Sequence, residues 1–381
     1  MRLNTPSFQG ARLREAREAR ALSQVMLAEL LGLSSASVSQ YESNDQSPSP
    51  QVMSRISGIL NLPSHFFTTP RLERPAPSLF WRSRSAATQR IRHAHERRYE
   101  WFRDVISVLV DHVEFPMPRI PNLNPPADPV MISNDDVENF AVQTRQFWNL
   151  GDGPISNVVW LAENNGCVVV RSDLDDEKLD AYSNWDADDS WRCYIFLGTD
   201  KQSAVRSRYD VAHELGHAVM HRNTPDRVKR KSDLHRLMEQ QANRFAGAFM
   251  MPATSFPSEV YSPTIQTLLH LKSRWQMSIS SMICRLFDLE SIDEDRKRLL
   301  FIQMSRNGWR RREPLDDSLE PEEPRLLKRT LDLLLDNGIL YNEELVRRTH
   351  LSARVIEKVL GISEGYLDEP PATLSLPLRL G

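Results

Sequence analysis

The chain has 381 residues and a formal net charge of −3, enough length for two or three domains that each bury a core. A balance this close to neutral excludes no partner class, because opposite local charges cancel over such a length. Three cysteines (Cys167, Cys193, Cys284) stand far apart without C-x-x-C spacing, which argues against a disulfide framework or a thiolate zinc site and suits a reducing cytoplasm. The N-terminus has no apolar segment of signal-peptide length and no stretch approaches 18 apolar residues, so the expectation is a cytoplasmic chain with no membrane partner.

Up to about residue 110 every cation is arginine (Arg12, Arg14, Arg17, Arg20, Arg55, Arg82, Arg84, Arg90, Arg92, Arg97 and Arg98 among them), and the arginines outnumber the acids. That end is read as able to face an anionic polymer.

The first 67 residues read as short helices, from about Gly10 to Arg20, Ser23 to Leu31, Ser35 to Ser43 and Gln51 to Leu60, with a turn through His65 to Phe67. Leu13, Leu27, Leu30, Val38, Ile56 and Leu60 recur at helical spacing. Prolines mark Pro70 to Pro77, and one long amphipathic helix is expected from Thr88 to Val113. Six prolines between Pro116 and Pro129 predict an extended linker and the main domain boundary. Beyond it come helices over Asp135 to Trp148 and Ile155 to Asn164, then Cys167 to Val170 and Tyr194 to Leu197 as strands of one small sheet. Helices from near Arg208 and over Leu234 to Met250 follow, Pro252 stops the second, and a helical remainder ends the chain. Glu343 to Leu360 reads as a helix pair without a glycine turn and carries no DNA assignment. Trp185, Trp191 and Tyr194 read as core.

The run from Gln24 to Glu42 has an internal logic. Ala28 is small where two helices cross, Gly32 can end a helix in the left-handed conformation, and Ser34 or Ser35 can cap the next. That geometry presents the first turn of the following helix to a major groove. Ser35, Ala36, Ser37, Ser39 and Gln40 are then the candidate base readers, with Gln24 as a phosphate contact.

His213 and His217 are four residues apart, so on a helix both imidazoles leave one face and can share a tetrahedral Zn²⁺. Glu214 beside them is the candidate base for a water that the metal activates. His221 continues that face, but eight residues of helix rise about 12 Å, too far for one ion to reach both ends. It is read as a cleft neighbour or a surface residue. Glu239 on the next helix supplies the third ligand, and Asn243, one turn on, can hydrogen-bond the outer nitrogen of a ligating histidine. His235 stands next in line should Glu239 fail.

The run Leu13 to Phe67 resembles the Xre-like and phage lambda-like helix-turn-helix regulators, which implies a double-stranded DNA operator and a homodimer on two half-sites. Ala212-His213-Glu214-Leu215-Gly216-His217, followed by Glu239, Ala242-Asn243, Phe245-Ala246 and Met251-Pro252, resembles the ImmA/IrrE metallopeptidases. Asp180 to Ser183 and the strand Tyr194 to Leu197 also suit that family's layout. Asp210 and Gln241 depart from its pattern, and neither is a ligand. The resemblance implies a zinc peptidase that relieves repression by cutting a repressor protein or its own linker. A non-catalytic zinc sensor or partner-binding module stays open beside it. The expected fold is mainly α with a small β-sheet (α+β): a helix-turn-helix domain over 1–68, a connecting helix and linker over 69–133, a zincin-like metallopeptidase domain over 134–256 and a helical region over 257–381.

Overall fold

The computed structural model describes residues 7–71, 79–83, 89–172, 179–186, 192–199, 204–229 and 231–368. The N-terminal helices are α1 (Gly10–Ala19), α2 (Gln24–Leu31), α3 (Ser35–Glu42) and α4 (Pro50–Leu60), closed by a 3-10 turn over Ser64–Thr68. Their ends follow local chemistry. Ser23, Ser34 and Ser49 each accept a hydrogen bond from a first-turn amide, and Gly32 ends α2 at φ +60°, where a side chain would be strained.

Strand β1 (Phe80–Ser83) and helix α5 (Gln89–Val110) come next. The sequence predicts no strand here, because four residues between prolines and a helix carry no alternation to detect. Then follow α6 (Asn134–Phe147), α7 (Val158–Asn164), β2 (Val168–Ser172), β3 (Leu179–Asp186), β4 (Arg192–Gly198), α8 (Ala204–Met220), α9 (Asp226–Lys229) and α10 (Ser232–Met250). The C-terminal region holds α11 (Phe256–Glu259), α12 (Ile265–Trp275), α13 (Ile279–Asp288), α14 (Glu294–Arg306), α15 (Leu326–Asp336), α16 (Asn342–Thr349) and α17 (Ala353–Leu360). The fold is mainly α with one small sheet. Helix α8 begins one turn earlier than the His-Glu motif alone indicates.

The sheet runs in the order β1-β3-β4-β2, with β2 parallel to β4 and the other pairs antiparallel. Side chains alternate across it. Val168, Val170, Tyr182, Tyr194 and Phe196 join one core with the N-terminal helices, α5 and the last three helices. Val169, Ala181, Trp185, Cys193, Ile195 and Leu197 join a second core with α6, α8, α10, α12 and α13. Trp185 and Tyr194 are therefore core, as read, whereas Trp191 and Arg84 lie outside the described residues.

The two cores divide the C-terminal region between them. Helix α17 buries Val355, Ile356, Val359 and Leu360 against α5 and β2, so it is packing structure. The cysteines are free thiols.

The segment from Pro116 to Pro129 has no regular secondary structure before the 3-10 turn over Pro129–Met131, and it is secured along its length. Arg192 Nη1 donates to Pro116 O (2.7 Å), Trp148 Nε1 to Arg119 O (2.7 Å) and Asn223 Nδ2 to Pro125 O (3.1 Å). Prolines leave carbonyls without a ladder partner, and the neighbouring side chains take them up.

Many of the N-terminal arginines are likewise committed internally. Arg12 pairs with Glu15 (3.0 Å), Arg17 with Glu42 (2.6 Å) and Arg97 with Glu18 (3.0 Å), the last joining α5 to α1. Arg98 Nε donates to Ala19 O at 2.8 Å. Arg55, Arg90 and Arg92 are exposed. The basic excess is thus partly an interhelical clamp, a distinction that depends on burial and cannot be read from charge counts.

Candidate metal centre and DNA-reading face

Helices α8 and α10 pack closely, with Gly216 against the ring of Phe245. This contact brings the two histidines of α8 to the carboxylate of α10. His213 Nε2 and His217 Nε2 are 3.1 Å apart, and Glu239 Oε1 and Oε2 lie 3.1 Å from His217 Nε2 and 3.4 Å from His213 Nε2. One donor atom from each residue falls within 4.8 Å of the others. Two neutral imidazoles and a carboxylate converging in this way fit a zinc ion with a fourth position left for water or substrate. Both histidines are buried, while the Glu239 side chain is 20% exposed, so the centre opens on the α10 side. Burial raises the Glu239 carboxyl, but when the two histidines carry protons on Nε2 in place of a metal, their hydrogen bonds and charge outweigh it and hold it far below the usual carboxylate range.

The outer nitrogens are held as well. Asn243 Oδ1 stands 3.1 Å from His213 Nδ1, and as that oxygen only accepts, the histidine carries its proton there and leaves Nε2 bare for a metal. His217 Nδ1 meets His221 Nδ1 at 2.9 Å, and His221 Nε2 meets Gln241 Oε1 at 3.0 Å. The Gln241 amide then donates to the carbonyls of Pro129 (2.8 Å) and Ile132 (2.9 Å). The roles are forced from that end: His221 must donate from Nε2 and accept at Nδ1, so His217 donates from Nδ1. Burial pushes the His221 pKa well below its ordinary value, consistent with this neutral tautomer.

His221 is therefore neither a ligand nor a surface residue; it is completely buried behind His217. Sequence spacing excluded it from the ion but gave no sign of its partner Gln241. His235, one turn before Glu239, is half-buried with its pKa lowered by burial and stays outside the converging set.

Glu214 is fully buried, and Ser183 of β3 donates its hydroxyl to Glu214 Oε2. In the sequence Ser183 stands out only as part of the family-like stretch Asp180 to Ser183. Its contact joins positions 31 residues apart, and no local pattern reports such a pair.

At the N-terminal end, Ser34 is the cap of α3, accepting from Ser37 N at 3.1 Å. Ser35, Ala36, Ser39 and Gln40 are exposed and Ser37 is half-buried, so no described part of the chain covers this face. Gln24, the expected phosphate contact, is half-buried at the start of α2. Its amide donates to Glu42 Oε2 at 2.9 Å, beside Arg17 on the same carboxylate, and braces α2 against α3.

Among the described residues no helix is long and apolar enough to cross a membrane. Residues 13–67 match the helix-turn-helix family model, and residues 162–287 match the model of the IrrE N-terminal-like domain. No curated protein matches the chain significantly. One polypeptide thus joins an Xre-like helix-turn-helix domain to an IrrE N-terminal-like domain.

Proposed function

We propose that the chain is a DNA-binding regulator that cleaves a protein, either a repressor or its own polypeptide, and so relieves repression. The observation that carries this reading is the convergence of His213, His217 and Glu239, with Glu214 on the same helix, in a chain whose α3 face is left open. The three residues would hold zinc, which when bound supplies Lewis acidity toward a peptide carbonyl and acidifies water.

The protein's own groups supply the rest. Glu214 takes the proton of the attacking water and returns it to the departing amine, and the Ser183 hydroxyl fixes the carboxylate for that exchange. Asn243 holds the ring of His213, while the His221–Gln241 pair holds that of His217. Ser35, Ala36, Ser37, Ser39 and Gln40 would read base edges in a duplex, with two copies on two half-sites.

For cleavage in its own linker, the segment from Glu114 to Ile132 must first release the bonds at Pro116, Arg119, Pro125, Pro129 and Ile132. Mass spectrometry of zinc-loaded wild type and Glu214→Gln tests the reading. The wild type should yield new termini in itself or in a repressor, and the variant should keep its zinc and yield none. Identical fragments from the variant would assign the cut to a contaminating protease. Zinc retention without cleavage by either protein would leave a metal-binding sensor.

A further inference from the structure

We propose that β1, the chain's own Phe80–Ser83, is a resident plug on the outer edge of β3, the track that an extended substrate strand would take. The inference rests on the peptidase reading above and adds how the cleft is filled. A peptidase must hold its substrate extended, and extended peptides are bound by adding a strand to an open sheet edge. The sheet meets the His-Glu helix through β3: Ala181, Ser183 and Trp185 lie on the α8 side, and Ser183 touches Glu214. With β4 on its inner side, β3 has one remaining edge, and β1 takes it.

The register places the plug at the site. Phe80 pairs with Ser183, Trp81 with Tyr182 and Arg82 with Ala181, so the β1 main chain runs antiparallel past the residue that holds the candidate base. A strand arriving from elsewhere would follow the same track.

The β1–β3 pairing is also the one suited to displacement. It spans four residues and its register slips between Arg82 and Ser83, whereas the β3–β4 pairing runs unbroken from Ala181–Leu197 to Asp186–Arg192. Each ladder bond adds only a small net stabilisation, so a short irregular strand yields to a longer one. Because β1 lies between the helix-turn-helix helices and α5, its displacement moves a segment tied to the DNA-binding end.

The test uses the full chain carrying Glu214→Gln, so that binding is read without turnover, and reduced carboxymethylated α-lactalbumin as an unfolded polypeptide probe. Successive residues of an antiparallel strand point their N–H groups to opposite sides, so Trp81→Pro with Arg82→Pro must remove one donor to β3. The double substitution should tighten probe binding at least tenfold. A second variant, Arg82→Cys with Ala181→Cys, ties the registered pair. Oxidation should abolish probe binding and reduction should restore it.

Unchanged affinity in the proline variant, together with indifference of the tied pair to oxidation, overturns the assignment of this edge. The peptidase reading is judged separately, by cleavage of the same probe with native Glu214 and zinc. Binding that responds to β1 without any cleavage keeps the edge and removes the enzyme. Cleavage that ignores both β1 variants keeps the enzyme and removes the plug.

Discussion

Gly216 sets the distance between the two helices that carry the ligands, so Gly216→Ala tests whether the centre depends on that spacing. A Cβ at this position would fall 2.9 Å from Phe245 Cδ1 and 3.1 Å from Cγ. An ordinary carbon contact is about 3.5–4.0 Å, so the ring or the helix must give by about 0.5–1 Å. Overpacking of this kind costs about 1–3 kcal/mol, offset by about 1 kcal/mol from replacing glycine inside a helix. The net loss of stability is then about 0–2 kcal/mol. Metal bonding is stricter, since ligand positions tolerate only about 0.2 Å. The same shift acts between His213 and His217 on one side and Glu239 on the other. We therefore expect zinc affinity, measured by competition with a chromophoric chelator, to fall at least tenfold while denaturant unfolding of the zinc-free protein shows a loss of no more than about 2 kcal/mol. Adding Phe245→Leu, whose smaller side chain can turn aside, should recover part of the affinity. Unchanged zinc affinity in Gly216→Ala would refute the argument that helix spacing holds the centre together.

Three further outcomes follow from the contacts. Glu239→Ala should abolish zinc retention in dialysed protein, whereas Asn243→Ala, which frees the outer nitrogen of His213, should weaken binding only about 10–100-fold; equal losses would remove the distinction between ligand and support. Glu322→Ala should destabilise the chain by about 3–5 kcal/mol in urea unfolding, because Glu322 pairs with the buried Arg208 of α8 and accepts from Val158 N (2.8 Å) and Val159 N (3.0 Å); a cost below about 1 kcal/mol would mean that water replaces it. Gln40→Ala should relax preference at one base pair by about 1–3 kcal/mol in a binding-selection assay, and an unchanged sequence preference would take Gln40 out of the reading face.

The parts legible in the sequence are those encoded within a turn or two of helix. Ser23, Ser34 and Gly32 specify the ends of α2 and α3 through their own side chains or their lack of one. His213, His217, Glu239 and Asn243 are legible because four-residue spacing fixes a shared helix face before any tertiary contact exists. What escaped lies in long-range partnerships. Glu322 meets Arg208 across 114 residues, and β1 meets a strand about a hundred residues later; neither leaves a periodic trace. The prolines between 116 and 129 predict a segment free of helix and strand, and none forms before the 3-10 turn at Pro129. Whether such a chain hangs free depends on Trp148, Arg192 and Asn223, none of which is near it in sequence. Gln241 read as a departure from a family pattern, yet it completes the path from His217 through His221 to the Pro129 carbonyl.

The sheet is the wall between the helix-turn-helix end of the chain and the candidate metal centre. On one face Tyr182 stacks on Phe196 with ring centres 4.6 Å apart, and Tyr99 and Phe102 of α5 press on Tyr194 and Phe196. Helix α5 in turn grips α1 through Arg97–Glu18 and through Trp101 Nε1, which donates to Glu15 at 2.6 Å. On the other face Ser183, one residue from Tyr182, reaches Glu214. Adjacent residues of one strand therefore contact the core of the DNA-binding end and the candidate base. Close-packed cores deform little, so a continuous relay of strain through this wall would be weak. Coupling between sites needs an element with two discrete arrangements. The pairing of β1 with β3 provides one that can be either made or broken, and it sits on the chain segment that leads from the helix-turn-helix domain into α5. A strand exchanged at that edge would change the DNA-binding end through its covalent connection, without requiring the packed wall to move.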